Sequence, residues 1–248
     1  MELSIQNYWN NRANTYSEMI NEDMNSFKKE AWSKIINDKV KDKNKVKVLD
    51  VGTGPGFFAI IMAQMGYDVT AVDSSCTMLE EAKGNAELAG VKVNFIKSDG
   101  EEAYFQKKSF DLIINRNVTW TLKEPEKAYK NWFELLKEDG RLVIFDANWY
   151  LRLAKKEFAE EYEKNMELAQ SMGYDCKTNK SQVEECERIT KDLPITYKLR
   201  PEWDKEALKE CGFKKIIVEK DISDCIYTEE EKIAYKTTPM FSICAYKI

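Results

Sequence analysis

Residues 46–57 read Val46-Lys-Val48-Leu49-Asp50-Val51-Gly52-Thr53-Gly54-Pro55-Gly56-Phe57. Val46, Val48, Leu49 and Val51 form a short apolar run stopped by glycine, the pattern of a strand buried on both faces. Phe57 to Met65 is apolar and suits a helix packed on a sheet. Three glycines at alternating positions between strand and helix let the backbone turn tightly and approach a ligand closely. The helix that follows offers free N–H groups to polar ligand atoms. Asp73 closes the next apolar run, 23 residues after Asp50, where a carboxylate can accept from both hydroxyls of a ribose. A dinucleotide loop would instead read GxGxxG and bring a pyrophosphate to the helix start. Asp50 repels a phosphate there and suits a cationic amino-acid group.

The alternation extends outward from this loop. Strands are expected at Asp68–Val72, Lys92–Lys97, Phe110–Ile114 and Arg141–Phe145, and helices at Ser75–Gly90 and Glu124–Leu136. Strands alternating with helices argue for a mostly parallel sheet covered on both faces. Residues 1–45 read as helices, with Phe27, Ala31, Ile35 and Ile36 on one face of Ser26–Val40; residues 41–47 suit a solvated connection. From 149 to 199 the rhythm breaks into a Glu- and Lys-rich stretch with helices at Lys155–Met172 and Ser181–Lys191. We read it as an insertion over the carboxyl edge of the sheet, acting as a lid on the acceptor. The rhythm resumes with a helix at Trp203–Cys211, a strand at Lys214–Lys220 and a last strand at Met240–Lys247. That last strand is expected to form an edge hairpin with the one before it. The whole is one domain.

Composition narrows the chemistry. The 248 residues carry a formal charge of −5, which disfavours a globally basic nucleic-acid binder. No histidine is present, so imidazole bases and histidine-ligated metals are excluded. Six cysteines lie apart with no CxxC pair, so no metal site is expected. The first residues lack a signal-peptide pattern and no apolar run reaches membrane-spanning length. A cytoplasmic protein with free thiols, monomeric or homodimeric, is the expectation.

Taken together, VLDVGTGPG, AVDSSCTMLEEAK, SDG at 98–100, FDLIINRNVTWTL and LLKEDGRLVIFD resemble the class I S-adenosylmethionine-dependent methyltransferases, particularly the ubiquinone and menaquinone type. The resemblance covers residues 8–147 well and the remainder in outline. It implies a Rossmann-like fold with a seven-stranded sheet and S-adenosylmethionine as cofactor. It also implies residue roles. Asp50 faces the amino end of the cofactor, Gly52, Thr53 and Gly54 underlie its methionine and ribose, and Asp73 holds the ribose. Ser74 and Met78 flank the adenine, Asp99 and Gly100 bond it, and Asn115 lies near the methionyl portion. The segment YWNNRANTYS resembles the family's entrance helix, which makes Tyr8, Arg12 and Tyr16 cofactor contacts; Tyr16 is also a candidate catalytic group.

Methyl transfer from a sulfonium is an in-line displacement that needs no metal, and orientation in a dry pocket supplies most of the help. An oxygen acceptor needs a base, which without histidine falls to Asp, Glu, Tyr or Lys. Asp146, Asn148, Trp149 and Tyr150 follow a strand end as DANWY; with Trp120, Arg200 and Trp203 they form the expected acceptor wall, and Asp146 is the candidate catalytic carboxylate. Structural roles are the alternative: Met78 as core filler, Asp99 as a turn cap, Asp146 as a helix cap, Arg200 in a surface ion pair with Glu202 or Glu206, Trp149 and Trp203 as core of the insertion. Two other functions stay open. Eight lysines against three acids in residues 28–47 would suit a nucleic-acid methyltransferase, and the same fold could serve as a non-catalytic partner protein.

Overall fold

The computed structural model describes residues 2–40 and 46–248, with no side-chain detail before Ile5. Of the expected connection at 41–47, residues 41–45 lie outside the described residues, and Lys47 already belongs to the first strand. Two helices come first, α1 (Glu2–Met24) and α2 (Phe27–Lys39). The alternating half follows as β1 (Lys47–Val51), α3 (Phe57–Gln64), β2 (Asp68–Asp73), α4 (Cys76–Leu88), β3 (Asn94–Lys97), β4 (Phe110–Arg116), α5 (Pro125–Leu135) and β5 (Leu136–Asp146). The insertion supplies α6 (Lys156–Ser171) and α7 (Lys180–Thr190). Then come α8 (Glu202–Glu210), β6 (Lys215–Glu219), two short helices α9 (Ser223–Ile226) and α10 (Glu229–Ala234), and β7 (Phe241–Tyr246).

The seven strands form one sheet in the order β3-β2-β1-β4-β5-β7-β6. The first five are parallel, and β7 runs antiparallel to both its neighbours. This is the mostly parallel, Rossmann-like methyltransferase arrangement with helices on both faces and a helical insertion after β5. Successive residues of the central strands feed opposite faces. Val48, Leu112, Ile114, Val143 and Phe145 pack towards α2 and α3, while Leu49, Ile113, Leu142 and Ile144 pack towards α5 and α8. Chain order reverses between β1 and β4, and in such sheets the crevice outside the strand ends at that point receives ligands.

The last strand does pair antiparallel with the one before it at one end of the sheet, but the connection holds α9 and α10 in place of a tight turn, and β6 is the outermost strand, with β7 between it and β5. The apolar run Phe241–Ala245, buried throughout, suits an interior strand. A second sequence expectation is corrected: β5 begins at Leu136, not Arg141. Its pairing with β4 jumps from Phe110–Leu136 to Leu112–Arg141. The bulge turns at Gly140, where a Cβ would lie 2.7 Å from the Lys137 carbonyl oxygen.

Candidate functional site

A cavity of about 400 Å³ opens at the reversal point. Its floor is made by the chain leaving β1, β2, β3 and β4: Gly52 and Gly54, Asp73 and Ser74, Asp99 and Gly100, and Arg116 to Val118. Gly52 has φ +65°, and a Cβ there would stand 2.4 Å from Val118 Cγ2. The loop therefore needs glycine for its backbone and for its closeness to the β4 loop. Asp73 accepts from the Gly54 N–H at 2.9 Å and from the Ser75 N–H at 2.9 Å. Burial raises its pKa, and these backbone donors oppose the shift. The two bonds tie the glycine loop to the end of β2 and leave acceptor capacity facing the cavity.

Asp50 lies deeper, accepting from Thr53 Oγ1 at 2.7 Å. Burial pushes its carboxyl up to about 7, against the pull of the Thr53 bond and the Arg116 charge. Asp50 and Thr53 line a crevice of about 30 Å³ that continues the cavity past Gly52 and Gly54. Met78 is buried at the cavity wall, on an α4 whose start is capped by Ser75. Asp99 accepts from the Glu101 N–H, and the Gly100 carbonyl from Trp132 Nε1 at 2.9 Å. Asn115 is fully buried on β4; neither polar atom of its side chain has a partner, and it does not reach the cavity lining.

The α1 cover is rotated from the expected face. Tyr16 reaches the cavity, together with Ile5 and Trp9. Tyr8 and Arg12 face the insertion instead: Tyr8 packs with Trp120 and Cys186, and Arg12 donates to Thr178 Oγ1 at 3.0 Å and Gln182 Oε1 at 2.9 Å. At about 100° per residue, positions 5, 9 and 16 fall within a narrow arc, with 8 and 12 beside it. Trp9 was the residue to choose by that spacing.

The expected acceptor wall does not line this cavity. Asp146 is fully buried. It accepts from Thr119 Oγ1 at 2.5 Å, the Trp120 N–H at 3.1 Å and Trp149 Nε1 at 2.8 Å, and it pairs with Arg200 at 3.0 Å. Arg200 also chelates Asp204 with two bonds of 2.8 Å, not Glu202 or Glu206, and Tyr129 donates to Asp204. Burial works against the Arg200 charge, yet Asp204 and Asp146 outweigh it and hold its pKa above the ordinary value. Asn148 clamps the Arg200 backbone through both amide atoms, at 2.8 and 3.0 Å. Tyr150 donates to Cys186 Sγ, and Trp203 packs on Tyr129. Trp120, Asn148, Trp149, Tyr150 and Arg200 surround only about 10 Å³, too little for a ligand. The aromatic set touches the cavity at one remove, through Trp120 against Trp9 at 6.3 Å. No residue of 149–199 lines the cavity; α7 braces α1 from behind.

Arg116 is the residue the sequence reading passed over. It follows Asn115 at the end of β4, lines both cavity and crevice, and lies over Phe57 at 4.5 Å, Phe58 at 5.3 Å and Trp32 at 5.6 Å. The lysine-rich stretch is partly spent inside the molecule: Lys28 pairs with Asp23 and Glu231, and Lys39 with Glu219. Among the described residues no group of three His, Cys, Asp or Glu side chains is placed to hold a metal. No described helix is long and apolar enough to cross a membrane.

Comparison with known proteins agrees with this geometry. A protein of Geobacillus sp. (strain WCH70), provisionally named a methyltransferase, is 34% identical over 132 residues, covering 50% of this chain and 53% of its own. The ubiquinone biosynthesis O-methyltransferase of Rickettsia canadensis (strain McKiel) is 32% identical over 107 residues, covering 43% of this chain and 45% of its own. The chain thus matches about half the length of these relatives. A phosphoethanolamine N-methyltransferase 2 of Haemonchus contortus, solved with S-adenosyl-L-methionine, shares the fold with TM-score 0.60 at 19% identity, over 86% of this chain and 51% of that one. The family model described as "Methyltransferase domain" matches residues 42–210, which span β1 through α8 and so include the glycine loop, Asp73 and Arg116: the chain belongs to the methyltransferase domain family.

Proposed function

We propose that the chain transfers the methyl group of S-adenosylmethionine to a small-molecule acceptor by in-line displacement. The observation that carries this reading is Asp73 beside the Gly52–Gly54 loop on the floor of a 400 Å³ cavity. The residues present fit the cofactor. Gly54 lines the cavity with open space above it, where a Cβ would meet only Tyr16 Cε1 at 3.7 Å. Asp73 keeps acceptor capacity for ribose hydroxyls, and Met78, Asp99 and Gly100 border room for a flat base. Named relatives that act on oxygen and on nitrogen support methyl transfer without choosing the acceptor atom.

S-adenosylmethionine supplies an electrophilic methyl carbon on a sulfonium. The chain's part is to hold nucleophile, carbon and sulfur in line and to keep water out. Trp9, Tyr16 and Ile5 cover the cavity from α1, and in this reading the insertion acts as a lid through α1 by bracing it at Arg12. Tyr16 is one cavity group able to orient an acceptor or take its proton, beside the carboxylates of Glu101, Glu102 and Glu124 that also line it. Asp146, spent on Arg200 and the Thr119–Trp120 turn, positions the chain after β4. Titration with S-adenosylmethionine and S-adenosylhomocysteine should show binding of both. A screen of small metabolites read by product mass should then show a gain of one methylene mass in an acceptor. No binding of either nucleoside at millimolar concentration overturns the reading; binding without turnover across the screen favours a non-catalytic partner protein.

A further inference from the structure

We propose that Asn85 is a positioning residue: it seats Tyr16 over the glycine loop and so couples the docking of α1 to the binding of ligand in the cavity. The inference rests on the function proposed above. Asn85 lies on α4, buried and away from the cavity lining. Met78, Ala82 and Asn85 are spaced to share one helical face. Met78 lines the cavity, and a Cβ on Gly56 would stand 3.2 Å from Ala82 Cβ. One turn further on, the Asn85 amide bridges two elements. Its Nδ2 donates to the Pro55 carbonyl oxygen at 3.0 Å and to Ser17 Oγ at 3.0 Å, and its Oδ1 accepts from Asn21 Nδ2 at 3.2 Å.

The loop is therefore held from two sides. Asp73 takes the Gly54 N–H on the cavity side, and Asn85 takes the next residue's carbonyl on the far side. Ser17 follows Tyr16 in the chain, and Tyr16 Cε1 is the atom nearest the Cβ position above Gly54, at 3.7 Å. The bond from Asn85 to Ser17 thus fixes where the Tyr16 ring stands over the loop. The rest of the seam between α1 and α4 is also polar. Gln6, Asn10, Ser17 and Asn21 recur at helical spacing. Gln6 donates to the Ser74 carbonyl, and Asn10 Oδ1 accepts from Ser75 Oγ at 2.6 Å and from Thr77 Oγ1 at 3.0 Å. Water satisfies such neutral amides and hydroxyls when the helices part, so this seam opens at lower cost than an apolar one. A ligand that touches both the glycine loop and Tyr16 gains the second contact only while α1 is docked. By linkage it then favours the docked state, and Asn85 is bonded to both partners.

Hydrogen exchange and calorimetry on the wild-type chain, Asn85→Leu and Ser17→Ala test this, with S-adenosylhomocysteine as the probe. In the wild type, saturating probe should slow exchange in residues 5–24 as well as in the loop at 52–57. Asn85→Leu keeps the bulk and loses all three bonds. It should bind the probe on the order of 10-fold less tightly, and exchange in 5–24 should be fast with or without the probe. Wild-type exchange in β1, β4 and β5 then shows that the variant folds. Ser17→Ala cuts the bond to α1 and spares the one to Pro55. It should loosen 5–24 in the same way, with a smaller loss of affinity. Three results overturn the inference and leave the proposed function standing. In the first, the probe binds the wild type without slowing 5–24. In the second, Asn85→Leu keeps wild-type affinity and wild-type protection of 5–24. In the third, Asn85→Leu exchanges faster throughout the domain while Ser17→Ala matches the wild type, which marks Asn85 as a core residue only. Failure of the wild type to bind the probe overturns both.

Discussion

Two aspartate–arginine couples lie at the carboxyl edge of the parallel strands, and they have opposite fates. At the end of β5, Asp146 and Arg200 are fully buried, bonded to each other and to Asp204, Thr119 and Trp149. Near the ends of β1 and β4, Asp50 and Arg116 share a crevice without forming an ion pair, and both face open space. The residue types are the same, although Arg116 ends a strand and Arg200 comes from the turn before α8; what differs most is whether the chain itself completes the coordination. A couple that closes on itself holds structure, and a couple left incomplete is available to a ligand.

The largest way to break this contrast is Arg200→Met. It leaves Asp146 and Asp204 buried without their cation, which should cost about 3–5 kcal/mol, read as a fall in unfolding free energy by urea titration. A loss under about 1 kcal/mol would show the cluster to be dispensable. Asp146→Asn removes the charge and keeps the shape, at about 2–3 kcal/mol. Affinity for S-adenosylhomocysteine should hold, and turnover per folded molecule should change little once an acceptor is found. A selective collapse of turnover at wild-type stability would return Asp146 to the chemistry.

Asp73→Ala should behave differently. The fold should survive, losing about 1–3 kcal/mol with the bonds to the Gly54 and Ser75 N–H groups, while affinity for S-adenosylhomocysteine drops by about 1–3 kcal/mol as charge-assisted bonds to the ribose are lost. Unchanged affinity in calorimetry would place the ribose elsewhere. The remaining effect is a slope with pH. The carboxyl of Asp50 titrates at about 7 when folded and near ~3.9 in an unfolded chain. A raised acid stabilises fully below the lower value, and that contribution is lost as pH rises through the higher one. Wild-type stability should therefore fall from pH ~4 to ~7 relative to Asp50→Asn and run parallel to it above. Parallel curves over the whole range would mean that Asp50 is not raised.

What was legible in the sequence was what local chemistry forces. The glycine loop announces itself because no other residue tolerates Gly52's backbone and its contact with Val118, and Asp73 is fixed by the end of an apolar run. The parallel core followed from the alternation. What was not legible depends on partners distant in the chain. Asp146 and Arg200 look like a site wall until it is seen that they meet across 54 residues. Arg200 also pairs with the acid one helical turn on, Asp204, in place of Glu202 or Glu206. On α1, a shift of one residue separates Tyr8, which packs under the insertion, from Trp9, which faces the cavity. Arg116 gave no signal of its own, since an arginine after a strand is ordinary until its partner is found missing.

The place of β7 bears on how the molecule is assembled. Its two neighbours, β5 and β6, both precede it in sequence, so each presents an unsatisfied hydrogen-bonding edge until residues 241–246 arrive between them. The half that floors the cavity can acquire its strand order beforehand, but it carries an apolar open seam at Leu142–Phe145 while it waits. Such a seam is a template for pairing with another chain, and a late, sequence-distant insertion is slow to form. Production of this protein should accordingly be limited less by final stability than by self-association of incomplete chains, and a chain cut at residue 239 should aggregate even though every residue of its cavity is intact.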